Sequence, residues 1–94
     1  MKGIHSAETD KLFETLLKLR TVDECYDFFE DLCTIKEIKD MSQRLQIACL
    51  LNKGLSYQRV AEMTNVSSAT ISRVKRCLDY GSGGYAKALE SMEE

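Results

Sequence analysis

Ninety-four residues without a proline make one small domain with no residue that must interrupt a helix, and no apolar run approaches the roughly twenty residues that span a bilayer. The opening MKGIHSAETDK lacks the apolar segment of a secretory signal, so the expected location is the cytoplasm and no membrane partner is expected. A net charge of −2 looks wrong for a nucleic-acid binder until it is divided: residues 1–40 hold six Lys/Arg and ten Asp/Glu, residues 41–79 six and two, and residues 80–94 one and three.

The predicted elements are all helical. Ser6 is a cap-like residue, and Leu12, Phe13, Leu16, Leu17 and Leu19 make an apolar stripe on a first helix ending near Arg20. Thr21 to Glu24 has the form of a capping box and starts a second helix running to about Cys33, aromatic over a wide arc through Tyr26, Phe28 and Phe29. Thr34 to Glu37 repeats the capping signal for a short third helix. Ser42 to Lys53 gives a fourth, with Leu45, Ala48, Cys49 and either Leu50 or Leu51 inward, and Gly54 closes it as a C-terminal cap. The glycines at 81, 83 and 84 separate a reading helix from a final one, Tyr85 to about Met92.

The stretch Ser56 to Arg76 has the spacing of a DNA-reading helix-turn-helix. Ala61 is small where a second helix must cross the first, and Asn65 stands where the turn needs a left-handed backbone, which asparagine tolerates well. Val60, Val66, Ile71 and Val74 can share one small core, and Ser67 supplies an N-cap oxygen. That arrangement leaves Ser68, Ala69, Ser72, Arg73 and Arg76 on the opposite face. Short side chains at the front of a helix allow close approach to a major groove, and arginine reaches guanine edges or phosphates. The competing account is an ordinary antiparallel helix pair with a solvated face, but five positions agree with the helix-turn-helix template.

Basic residues at 59, 73, 75 and 76 gather around this unit, as counterion release from phosphates requires. Ser68, Ala69, Thr70, Ser72 and Arg73 are the candidates for base edges, with the Thr70 hydroxyl serving the helix start as its other role. Tyr57, Gln58, Arg59, Lys75 and Arg76 are the candidates for phosphates. Four cations are a modest footprint, so a dimer presenting two copies to double-stranded DNA is the sensible unit. Wide apolar faces on the short N-terminal helices, more than one subunit can bury, point the same way.

Cysteines 25, 33, 49 and 77 are scattered without a C-x-x-C pair, and the single histidine, His5, lies near the N-terminus. They read as small buried or half-buried residues in a reducing compartment rather than as zinc ligands or a redox pair, and no metal or cofactor is expected. No clustered His/Cys/Asp constellation, phosphate loop after a strand, or nucleophile beside a base is present, so the chain does not read as an enzyme.

The run QRLQIACLLNKGLSYQRVAEMTNVSSATISRVKR, with its helix, glycine, helix-turn-helix and Ala69 to Arg73, resembles the tryptophan-repressor superfamily, specifically its short YerC/YecD-type group. The resemblance covers about Thr34 to Leu89. It implies an all-α fold of six to seven short helices, an intertwined homodimer and sequence-specific transcriptional regulation. On this basis residues 1–40 are expected to dimerise, 41–54 to support, 56–79 to form the helix-turn-helix and 83–92 to form a C-terminal helix of a single domain, 1–94. The expected function is repression by occupying a palindromic operator; the alternative is a protein-interaction module whose helix-turn-helix is vestigial.

The resemblance also implies two arginines flanking a corepressor, and Arg44 and Arg73 stand at those places, able to clamp a carboxylate and a ring. Val74 replaces the family's glycine after the second arginine and Cys77 its serine, which crowds an indole and weakens an amino contact. Tryptophan or another small-molecule corepressor therefore fits these residues poorly, and a surface ion pair with Glu37 or Asp40 is the plainer role for Arg44.

Overall fold

The computed structural model describes residues 2–92, and among them the chain is helical without a strand. After a 3₁₀ turn at Lys2–Ile4 come α1 (Ala7–Leu16), α2 (Val22–Leu32), α3 (Ile35–Asn52), α4 (Tyr57–Thr64), α5 (Ser68–Tyr80) and α6 (Gly84–Met92). No helix of the described residues is long and apolar enough to cross a membrane. The chain divides into two compact units, residues 1–38 and 39–94.

The first unit is organised by its caps. Ser6 Oγ accepts the Thr9 N–H at 3.0 Å to start α1, and Thr21 Oγ1 accepts the Glu24 N–H at 3.1 Å to start α2. At the start of α3 the exchange is reciprocal: Thr34 Oγ1 accepts from the Glu37 N–H at 3.1 Å while Glu37 Oε1 accepts from the Thr34 N–H at 2.8 Å. Each bond satisfies a donor that the first helical turn leaves without a partner. The α1 helix ends at Leu16, short of the Arg20 expected from its leucine stripe. Lys18 and Leu19 donate instead to Thr15 and Leu16 in tighter i to i−3 turns, and the Arg20 N–H is taken by Glu24 Oε1 at 2.8 Å. The cap of α2 thus claims a donor that a longer α1 would have used. On α2 the Phe28 and Phe29 rings meet edge to face with centroids 6.1 Å apart.

The separate third and fourth helices expected from Thr34 and Ser42 are one helix, α3. Ser42 looks like a cap in isolation, but no glycine or proline lies between residues 35 and 52 to stop the preceding turns. The helix does end where glycine permits. Gly54 has φ +92°, its N–H donates to Leu51 O at 2.9 Å, and the Leu55 N–H donates to Leu50 O at 3.3 Å. These are the two bonds of a Schellman motif, with Leu50 and Leu55 both packed on the core.

That core lies in the second unit and draws on four helices: Ile47, Ala48 and Leu51 from α3, Val60 from α4, Ile71 and Val74 from α5, and Leu89 from α6. Leu45, expected inward, is 39% exposed, and Ile47 beside Ala48 is the buried residue of that turn. Gly81 follows α5 and donates its N–H to the Cys77 carbonyl at 2.9 Å, and a Cβ there would collide with that carbonyl, so the position requires glycine. The cysteines divide in a way the sequence did not foretell: Cys33 and Cys49 are half-buried, but Cys25 and Cys77 are exposed. Among the described residues no group of three His, Cys, Asp or Glu side chains could hold a metal ion.

Candidate nucleic-acid interface

The site is built on the angle between α4 and α5, which two caps and one left-handed residue define. Ser56 Oγ accepts the Arg59 N–H at 3.1 Å and starts α4. The helix closes at Asn65, whose φ of 58° and ψ of 37° lie in the left-handed region, with its N–H donating to Ala61 O at 2.8 Å. Asn65 is the one described residue other than glycine with positive φ, so the turn rests on the side chain best suited to it. Ser67 Oγ then accepts the Thr70 N–H at 3.3 Å and starts α5.

Burial sorts the side chains of α5 into two faces. Ile71 and Val74 are 0% and 2% exposed against Val60 in the core, with Val66, Ala61 and Leu78 packed around them. Ser68, Ala69, Ser72, Arg73 and Arg76 are exposed, and Lys75 is half-buried. The outward set therefore begins with three small residues and continues with arginines one and two turns on. Thr70 sits apart from them: it is half-buried, and its Oγ1 lies 3.2 Å from Ser67 Oγ, where it serves the helix start. On α4 the side chains of Tyr57, Gln58 and Arg59 are exposed beside the start of the unit.

Two residues that sequence reasoning left aside belong to this surface. Glu62 Oε1 lies 3.5 Å from Arg59 Nη1, and Asp79 Oδ1 lies 3.3 Å from Lys75 Nζ. Their signal was present as i to i+3 and i to i+4 spacing from a cation on one helix face.

The residues aligned with a corepressor differ in exposure. Val74 is turned into the core, whereas Arg73 and Cys77 on α5 and Arg44 on α3 are exposed. No buried side-chain nitrogen or oxygen among the described residues lacks a partner.

The family model of the Trp repressor protein matches residues 7–93. YerC of Bacillus subtilis strain 168, a protein of uncharacterised function, is 47% identical over 91 residues, which cover 97% of this chain and 88% of that protein. Among solved structures, a TrpR-like protein from Eubacterium eligens matches with a TM-score of 0.94 at 43% identity, covering 99% of this chain and 96% of its own. A candidate Trp repressor of Staphylococcus aureus matches with a TM-score of 0.93 at 42% identity, covering 99% and 95%.

Proposed function

This chain belongs to the Trp repressor family, and from that premise we propose that it is a homodimeric, sequence-specific DNA-binding regulator of the cytoplasm that represses transcription by occupying a palindromic operator. The observation that carries the reading is the two-faced α5, which buries Ile71 and Val74 and leaves Ser68, Ala69, Ser72, Arg73 and Arg76 outward after a left-handed turn at Asn65. Small residues at the front of the helix admit it to a major groove, Ser72 and Arg73 face base edges, and Tyr57, Gln58, Arg59, Lys75 and Arg76 take phosphates. The role is one of occupancy and not of chemistry.

Dimerisation is supported by the first unit. Leu17 is 83% exposed, Ile35 75% and Val22 71% in the single chain, an apolar surface that a second copy would cover. Two-fold symmetry then presents two reading helices about 34 Å apart, one helical turn of DNA. In this reading the operator is bound without a small-molecule corepressor, because Val74 and Cys77 stand where the resemblance has a glycine and a serine.

The test is selection of bound fragments from a random duplex pool by the purified protein, without added ligand and at near-physiological salt. Enrichment of a two-fold-symmetric site is the expected result, and Arg73→Ala then relaxes preference at one base pair at a cost of roughly 1–3 kcal/mol. Weak binding that vanishes as salt rises, with nothing enriched, would overturn the ligand-independent reading.

A further inference from the structure

Resting on the DNA-binding reading above, we infer that Glu62 and Asp79 are resident carboxylates that occupy the phosphate-contacting cations Arg59 and Lys75 in the free protein and thereby hold down its affinity for DNA of indifferent sequence. Residues 41–79 carry two acids, and both are spent in this way: Glu62 on Arg59 at 3.5 Å and Asp79 on Lys75 at 3.3 Å. An otherwise basic surface has placed its acids beside two of its proposed phosphate contacts.

Helix stability does not account for the placement. Glu62 lies in the last turn of α4 and Asp79 in the last turn of α5, where the carbonyl end of the helix dipole disfavours a carboxylate, and neither last turn carries a basic residue. A lysine four residues before an aspartate is also the weaker orientation of an i to i+4 pair. Both pairs are solvated, with side-chain exposures of 62% and 56% for Arg59 and Glu62 and 41% and 42% for Lys75 and Asp79, and such pairs contribute little to folding. Their larger consequence falls on an incoming polyanion. A duplex that recruits Arg59 and Lys75 must exchange carboxylate for phosphate, and each displaced carboxylate remains within about a 10 Å screening length of the phosphate that replaced it. Binding to indifferent sequence is almost wholly electrostatic, so it carries this cost without relief from base contacts.

The experiment titrates a random-sequence duplex with the wild type, Glu62→Gln, Asp79→Asn and the double variant over a salt series from about 20 to 150 mM. Each single variant is expected to bind about two- to five-fold tighter at low salt. Each should also steepen the slope of log K against log salt by up to about 0.9, the release associated with one more neutralised phosphate. The pairs lie on different helices, so the double variant should multiply the gains. Thermal midpoints should stay within a few degrees of the wild type, and Arg59→Ala should cancel the gain from Glu62→Gln. Glu14→Gln, the same charge change on α1, controls for net charge. If the wild type binds and the variants do not tighten, or Glu14→Gln tightens as much, the inference fails and the DNA-binding reading stands. If nothing binds at the lowest salt, both fail.

Discussion

The two compact units both contain helices started by side-chain caps, yet among the described residues only the second buries a side chain. Seven apolar residues from four helices are buried within residues 39–92, whereas no residue from 3 to 38 reaches that state. Side-chain caps start α1 to α5, since Ser6, Thr21 and Thr34 bond first turns in the first unit as Ser56 and Ser67 do in the second. Capping does not produce a core. A core needs apolar stripes from several directions to converge, and Val60, Ile71 and Leu89 meet α3 in that way. In the first unit the apolar residues stay partly or largely exposed, and in the proposed homodimer their burial would contribute about 25 cal/mol per Å². The charges follow the same division, ten acids against six cations before residue 41 and six cations against two acids from 41 to 79. The proposed function assigns assembly to the first unit and DNA reading to the second, which carries the core.

The comparison is broken most directly at Ile71. It is fully buried, so Ile71→Ala should lower unfolding free energy by about 2–5 kcal/mol through lost transfer energy and the cavity left behind. Urea denaturation measures this, and a loss below about 1 kcal/mol would mean that the helix-turn-helix core is not what holds the second unit. At Leu17 the contrast is sharper. The side chain is 83% exposed in the single chain, so a monomer should tolerate Leu17→Glu with a change within about 0.5 kcal/mol. In the proposed homodimer the same substitution buries a carboxylate against an apolar partner and should shift sedimentation toward the monomer at micromolar protein, at a cost of about 2 kcal/mol or more. An unchanged dimer would remove Leu17 from the interface, and a wild type that sediments as a monomer would remove the interface itself.

How much of this was legible beforehand depends on the range of the interaction that decides each feature. Asn65 in the turn, Ser67 at the α5 cap and Gly54 after α3 follow from residues within one or two turns of each other, and Val60, Ile71 and Val74 from the spacing of the two short helices that the turn joins. The errors came where a local signal met a competitor. Ser42 offers a cap, but an uninterrupted run of helix-compatible residues carries α3 straight through it. The leucines at 17 and 19 continue the α1 stripe, but the Arg20 N–H is claimed by Glu24 from the next helix. Ile47 replaces Leu45 inside because the direction of three other helices selects which side of α3 is covered, and the sequence of α3 alone contains no such direction. At the candidate interface the outward face of α5 was readable from its period, and the carboxylates beside Arg59 and Lys75 were visible only as spacing until their distances were known.

The smallest expected effect lies at the junction of α2 and α3, where the first unit depends on a cap rather than a core. The Glu37 carboxylate accepts the Thr34 backbone N–H at 2.8 Å, and this bond, with a lesser contribution from the Thr34 side chain, holds its pKa below the ordinary 4.5. A depressed folded-state pKa means that the charged form is bound more tightly in the native state. The stabilisation is therefore complete above the unfolded value and lost as pH falls through the folded one. Glu37→Gln keeps an oxygen that can accept the Thr34 N–H but removes the charge, so its cap does not titrate. Thermal unfolding of the two proteins should give a constant difference in midpoint from about pH 7 to pH 5, narrowing below about pH 4.5 as the wild-type carboxylate protonates. Parallel curves down to about pH 3 would mean that the charge on the Glu37 carboxylate adds nothing to the cap beyond what a neutral acceptor supplies.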